Sequence, residues 1–200
     1  MKCSTVVAVG LVALSCLSSP SYSESGARVL PRTLDQLADE AETIVHGYII
    51  STRAEPHPQL KNLMTVVVTM SIADTYKGAR RSSLVFRQYA VDAVQYHSLN
   101  DYRKGQEIVL FLRPVSEYGL TSPAGLEQGR FNVLTDHRTG QKIAVNGRGN
   151  VGLFDNFEEH AAARNLQLSP LLKNIVKAHT SGPVQLKDLE SMINELARVR

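Results

Sequence analysis

The sequence predicts a mostly β protein, a small curled barrel with flanking helices, and three observations carry that reading. The stretch MTVVVTMSIADTYKG (64–78) alternates apolar and polar residues with the period of a strand. Five further β-branched or aromatic runs accompany it, each bounded by Gly, Pro or polar turn residues. Beyond residue 150 the apolar spacing lengthens to that of a helix.

In chain order, TLDQLADEAETI (33–44) opens on Thr33 as an N-cap and spaces Leu34, Leu37 and Ala41 along one helical face. IVHGYIISTRA (44–54) reads as the first strand, with Gly47 where a barrel strand bends or bulges. AEPHPQLKN (54–62) is a loop punctuated by Pro56 and Pro58. In the next strand Met64, Val66, Val68, Met70 and Ile72 share the buried face, and Thr65, Thr69, Ser71 and Thr75 dominate the other. At about 3.3 Å per residue its clearest part spans roughly 30 Å, longer than a flat single-faced strand sustains, so it curls around a core. Gly78 then turns the chain into LVFRQYAV (84–91). GQEIVLFLRP (105–114) is a further strand with a nearly continuous apolar centre, Ile108 to Leu112, closed by Pro114, and such a run is more buried than its neighbours. GRFNVLTD (129–136) and QKIAVNG (141–147) form a hairpin in which Phe131 and Val133 are expected to face Ile143 and Val145. FEEHAAARNLQL (157–168) reads as a helix, and VQLKDLESMINELARVR (184–200) as an amphipathic one with Leu186, Leu189, Met192, Ile193 and Leu196 on its apolar stripe.

The first residues follow a separate logic. Lys2, the apolar run TVVAVGLVALSCL (5–17) and SSPSYS have the charged, apolar and small-residue order of a secretory leader, with cleavage after Ser23. The run is shorter than the about 20 residues of a membrane span. Ala13-Leu14-Ser15-Cys16 offers the alternative of a lipoprotein box, with the chain anchored through Cys16. The expected organisation is a signal peptide (1–23), a tether (24–32), a barrel domain (33–150) and a helical extension packed on it (151–200). Cys3 and Cys16 are the only cysteines, so a chain cut after Ser23 has no disulfide, thiolate site or cysteine nucleophile. The formal charge of +3 falls by one with Lys2, too little to suggest nucleic acid as a partner.

No motif announces catalysis. The six histidines, at 46, 57, 97, 137, 160 and 179, lack the spacing of a helical metal site. His46 reads either as a barrel-lining ligand or as a surface or satisfied histidine, and neither metal nor cofactor is expected. NGRGNVG (146–152) lacks the Gly-Lys-Ser/Thr ending of a phosphate loop and reads as the loop after the hairpin. There is no Gly-x-Ser-x-Gly elbow, and Glu158-Glu159 and Asp39-Glu40 read as solvated helical acids. The coherent surface set is basic and aromatic: Lys77, Arg80, Arg81, Arg87, Tyr89 and Arg113, as ligand-binding candidates or as charges that protect a sheet edge. Tyr96, Tyr102 and Tyr118 either extend it or cap the barrel.

AETIVHGYIISTRAE, the long strand closing in DTYKG, LVFRQYA and KGQEIVLFLRP together resemble the netrin-like module of the tissue inhibitors of metalloproteinases and of complement C-terminal domains. The likeness covers about residues 39–135. It implies a five-stranded OB-like Greek-key barrel, here with a β-hairpin extension and C-terminal helices. Gly125-Leu126-Glu127-Gln128-Gly129-Arg130-Phe131 is similar to a segment of a group of exported bacterial proteins with the same strand order. Those inhibitors hold the protease zinc through a free N-terminal cysteine and are stapled by disulfides, and the cleaved chain has no cysteine for either. OB barrels bind ligands on strands 2 and 3 and the adjoining loops, which is where the basic set falls. The expectation is therefore an exported, noncatalytic binding module, secreted or periplasmic, whose partner is another extracytoplasmic protein or envelope component. The alternatives are an inhibitor of an extracytoplasmic hydrolase, working through a protruding loop at 54–62, and an enzyme.

Overall fold

A computed structural model describes residues 30–90, 102–165 and 167–198; the expected leader and most of the tether lie outside these residues, as do Tyr96 and His97. The order is α1 (Leu34–Glu40), β1 (Thr43–Pro56), β2 (Met64–Lys77), β3 (Ser83–Tyr89), β4 (Glu107–Leu112), β5 (Arg130–Thr135), β6 (Lys142–Asn146), α2 (Phe157–Ala163), α3 (Pro170–Ala178), β7 (Val184–Gln185) and α4 (Leu186–Arg198). The strands make one antiparallel sheet in the order β3-β2-β1-β4-β5-β6-β7. The mostly β expectation holds. Among the described residues the sheet has seven strands and does not close, and the 130–146 hairpin is part of it.

β1 and β2 are both 14 residues long and pair along their whole length. Their ladder breaks register three times, leaving Tyr76, Ala73 and Ile50 as extra residues. Each bulge adds twist and bends the ribbon. Gly47 sits at one of these breaks because the β2 backbone passes against it: a Cβ there would lie 2.0 Å from the Ser71 carbonyl oxygen. The second bulge also reverses the faces of β2, so Val66, Val68, Met70 and Ile72 point one way and Asp74 the other.

Each face of the sheet has its own core. On the concave face, Val45, Ile49, Val66, Val68, Met70, Leu84, Phe86, Ile108, Leu110 and Leu112 pack around Tyr102, whose ring meets Phe86 edge-on. On the other, Val109, Phe111, Phe131 and Ala144 receive the helices through Leu37, Phe157, Leu172, Leu189, Met192 and Ile193. β4 contributes alternate residues to both cores, as its continuous apolar run requires. Val68 and Met70 are buried and Thr69 is half exposed, as the alternation predicts.

The structure differs from the sequence reading at several ends. α1 stops at Glu40, because the β-branched residues from Thr43 onward belong to β1. β1 runs on to Pro56, a position at its last pairing where a missing N–H is tolerated, so the loop shrinks to 57–63. Thr65, placed on the polar face, is buried, its hydroxyl donating to the Glu55 carbonyl. The hairpin register is one residue away from the expected one: Phe131 pairs with Asn146 and Val133 with Ala144, which leaves Ile143 and Val145 half buried on the opposite face. α3 has no counterpart in the sequence reading, although Ser169 caps it and Pro170 opens it. The last helix begins two residues later than expected, after β7 has paired with β6.

Candidate functional site

The outer strand β3 sets the site. Its even residues pair with β2: the Ala90 amide, next in that series, bonds to the Met64 carbonyl, and the Ser82 carbonyl accepts from Ile72. By alternation the backbone groups of Ser83, Val85, Arg87 and Tyr89 face away from β2. One of them is met by the chain after β4, where the Thr121 amide donates to the Arg87 carbonyl at 2.8 Å. That chain also runs beside β4, the Arg113 amide donating to Ser122 and the Ala124 amide to Phe111.

Between the β3 edge and this returning chain lies a cleft of about 620 Å³. Leu84 and Phe86 line it from one face of β3 and Val85 and Arg87 from the other, so it follows the strand's edge. Among the described residues four guanidinium groups, Arg53, Arg81, Arg87 and Arg113, border it against the single carboxylate of Glu42. Arg87 is anchored: its guanidinium donates to Thr65 Oγ1 at 2.6 Å and to Glu55 Oε1 at 2.5 Å, while Arg53 holds the other Glu55 oxygen at 2.8 Å. Hydrogen bonds from Arg53 and then Arg87 keep the Glu55 carboxyl below its usual range. Arg81 and Arg113 form no ion pair among the described residues. Val85 is 60% exposed at the centre of the edge.

The structure thus brings together Arg81, Arg87 and Arg113 of the sequence-predicted set. Lys77 does other work, its ammonium donating to the Ala38 carbonyl at 2.6 Å and to that of Ala41, which satisfies the C-terminal end of α1. Arg80 is exposed in the turn after β2, and Tyr89 lies on the same strand edge; neither lines the cleft. Tyr102 belongs to the concave core and Tyr118 is exposed. Arg53 is the cleft arginine that sequence reasoning missed. It sits opposite Val67, which sits opposite Arg87, and that juxtaposition exists only once the bulged register is known.

The Gly125–Phe131 segment is structural. Buried Gln128 accepts from the Arg32 amide at 2.7 Å and donates to the Leu30 carbonyl at 3.1 Å, tying the start of the described chain to β5. Residues 146–152 form the loop after β6, built on buried Asn146 and Asn150, which hydrogen-bond each other's backbone.

A second polar centre lies on the helix-covered face. His46 is buried and neither lines the concave core nor reaches the surface. Its Nε2 is 2.9 Å from Glu107 Oε1, which also accepts from Lys142 at 2.6 Å. Burial raises the Glu107 pKa, but the hydrogen bonds from Lys142 and His46 outweigh it and hold the carboxyl below its ordinary value. The other ring nitrogen, Nδ1, faces Asp74 at 3.8 Å and Glu190 at 3.4 Å and has no hydrogen-bond partner among the described residues. Glu190 in turn accepts from the Tyr76 hydroxyl at 2.7 Å; burial, then this carboxylate, raises the phenol's pKa.

Comparison of the chain with protein-family models, curated proteins and solved structures finds no match. No described helix is long and apolar enough to cross a membrane.

Proposed function

We propose that this chain is an exported, noncatalytic binding module that takes an extended acidic segment of another extracytoplasmic protein along the edge of β3. The observation that carries the reading is the convergence of four arginines on a cleft whose wall is the outward edge of a strand. An unpaired strand edge supplies backbone donors and acceptors for an added strand, and the flanking side chains select its sequence. Arginine stays protonated at any physiological pH and matches carboxylates with a two-pronged donor set. Among the described residues the cleft's lining contains no imidazole or thiol, a composition suited to holding charge rather than moving protons.

Export rests on the leader-like order of residues 2–23, with secreted or periplasmic destinations and an anchor at Cys16 as the routes. The OB-like, netrin-like reading is supported by the strand order β3-β2-β1-β4 and by the chain at 113–124, which bonds to both β4 and β3 where an OB barrel carries its remaining strand. The inhibitor alternative rests on loop 57–63, which His57 holds in shape: its Nδ1 accepts from the Leu60 amide at 3.0 Å and its Nε2 meets the Tyr118 carbonyl at 2.7 Å.

A fluorescein-labelled dodecapeptide alternating Glu and Val is the probe. Anisotropy titration is expected to show saturable binding that weakens as salt rises, at least about tenfold weaker in the Arg81→Glu/Arg113→Glu variant. Equal affinity of the two proteins would remove the cleft from the account.

A further inference from the structure

We propose that His46, Asp74 and Glu190 form a binding site for a divalent transition-metal ion of the zinc type. The inference is independent of the β3 cleft, which lies elsewhere on the sheet.

The three residues come from β1, β2 and α4, and a specific irregularity brings them together. Even-numbered residues of β2 up to Ile72 point into the concave core; the extra residue Ala73 reverses that order and sets Asp74 directly opposite His46 on the helix-covered face. α4 packs over this face and lowers Glu190 onto the same point. One ligand atom from each residue, imidazole Nδ1 and one oxygen from each carboxylate, lies within 4.8 Å of the others.

The arrangement makes electrostatic sense with a cation at its centre. Glu107 stands at Nε2 as the acceptor for a ring proton, and in the neutral ring with its proton there the Nδ1 lone pair is directed at Asp74 and Glu190. In that form the lone pair faces two carboxylates, a repulsion, and the atom that carries it is buried with no hydrogen-bond partner among the described residues, in a side chain only 8% exposed. A divalent ion between the three atoms turns each repulsion into a bond. Tetrahedral bonds of about 2.1 Å separate ligand atoms by about 3.4 Å, against the 3.4 Å and 3.8 Å found here.

The surroundings fit as well. A metal-bound histidine ordinarily donates its other N–H to a carboxylate, and Glu107 fills that place. Lys142 neutralises Glu107, so the two remaining carboxylates match the charge of a divalent ion. Tyr76 orients Glu190 through its hydroxyl. One nitrogen and two oxygen donors suit Zn²⁺, Co²⁺ or Mn²⁺ over Ca²⁺, which takes oxygen ligands only. Asp74 has a side-chain exposure of 64%, giving the ion a way in and water as a further ligand.

The test is a calorimetric titration of Zn²⁺ into the tag-free, chelator-treated full chain, with Co²⁺ absorption as the spectroscopic readout. Asp74→Asn removes a ligand from an exposed position and leaves the fold intact. The expected result is a Zn²⁺ site whose affinity falls at least about tenfold in Asp74→Asn and in Glu190→Gln, with a comparable loss in Glu107→Gln, whose side chain positions the ring. The visible Co²⁺ bands should vanish in the first two, and Ca²⁺ in excess should not displace Zn²⁺. No Zn²⁺ uptake by the parent chain would overturn the proposal. So would uptake that Asp74→Asn leaves unchanged, which would place the metal elsewhere, for instance on Cys3 and Cys16.

Discussion

The Thr121 amide and the Arg87 carbonyl share one hydrogen bond of 2.8 Å, and there the chain leaving β4 comes back against the outer strand. Both residues line the cleft between the two segments, which the Arg81 and Arg113 side chains also border. Val85, two residues before Arg87 on the same outward edge of β3, lines the same cleft.

The face assignment of β2 gives the plainest stability test. Val68 is fully buried in the concave core, while Thr69 faces outward and is half exposed. Val68→Asp buries an unpaired charge and is expected to abolish the folded state, whereas Thr69→Asp should retain a native circular dichroism spectrum. A folded Val68→Asp protein would mean that the strand register is wrong.

Gly47 is sensitive for a different reason. A single added methyl there meets the Ser71 carbonyl oxygen at 2.0 Å, a backbone atom held in the β1–β2 ladder. Gly47→Ala should lower stability in urea unfolding by about 3 kcal/mol or more. A loss below about 1 kcal/mol would show that the two strands separate freely at the bulge.

The C-terminal helix is held by its apolar stripe, with Leu189, Met192 and Ile193 all fully buried. Leu189→Ala should cost about 2 to 5 kcal/mol. Unchanged denaturant midpoints would mean that α4 does not pack on the sheet in solution.

The β5–β6 turn carries a pH dependence. Asp136 accepts from the Arg138 amide at 2.9 Å and the Thr139 hydroxyl at 3.0 Å, and these bonds, the backbone one foremost, lower its pKa. A depressed carboxylate adds stability above the unfolded Asp value of about 3.9 and loses it as pH falls through the lower folded value. The gap in stability between the parent and Asp136→Ala should therefore be constant above about pH 5 and narrow below about pH 4. A gap that widens on acidification would contradict this.

Much of the architecture is legible in the residues themselves, because alternation along β2, the doubly buried centre of β4 and the stripe of α4 are local patterns with one packing solution each. The bulges are not local in that sense. Ala73 and Ile50 look like ordinary strand residues, and only the pairing of two 14-residue strands reveals that they are extra. That is why Arg53, Asp74 and the partner of His46 could not be placed in advance. Glu190 was equally hidden, since it reads as a solvated acid on an amphipathic helix until α4 is packed on the sheet and brings it to His46. Lys77 shows the opposite limit: its charge and position suggest a ligand-binding residue, and only the fold reveals that its ammonium also donates to the carbonyls at the end of α1. The Ser169-Pro170 start of α3, by contrast, was a readable signal.

The central claim, an acidic strand added to the β3 edge, is tested most directly by residue-resolved amide hydrogen exchange with and without the alternating Glu-Val peptide. Addition of a strand hydrogen-bonds the outward amides, so the Val85 amide should slow by at least about tenfold, while Leu84 and Phe86, already paired with β2, should change little. Saturating peptide that leaves Val85 exchange unchanged would contradict strand addition at this edge.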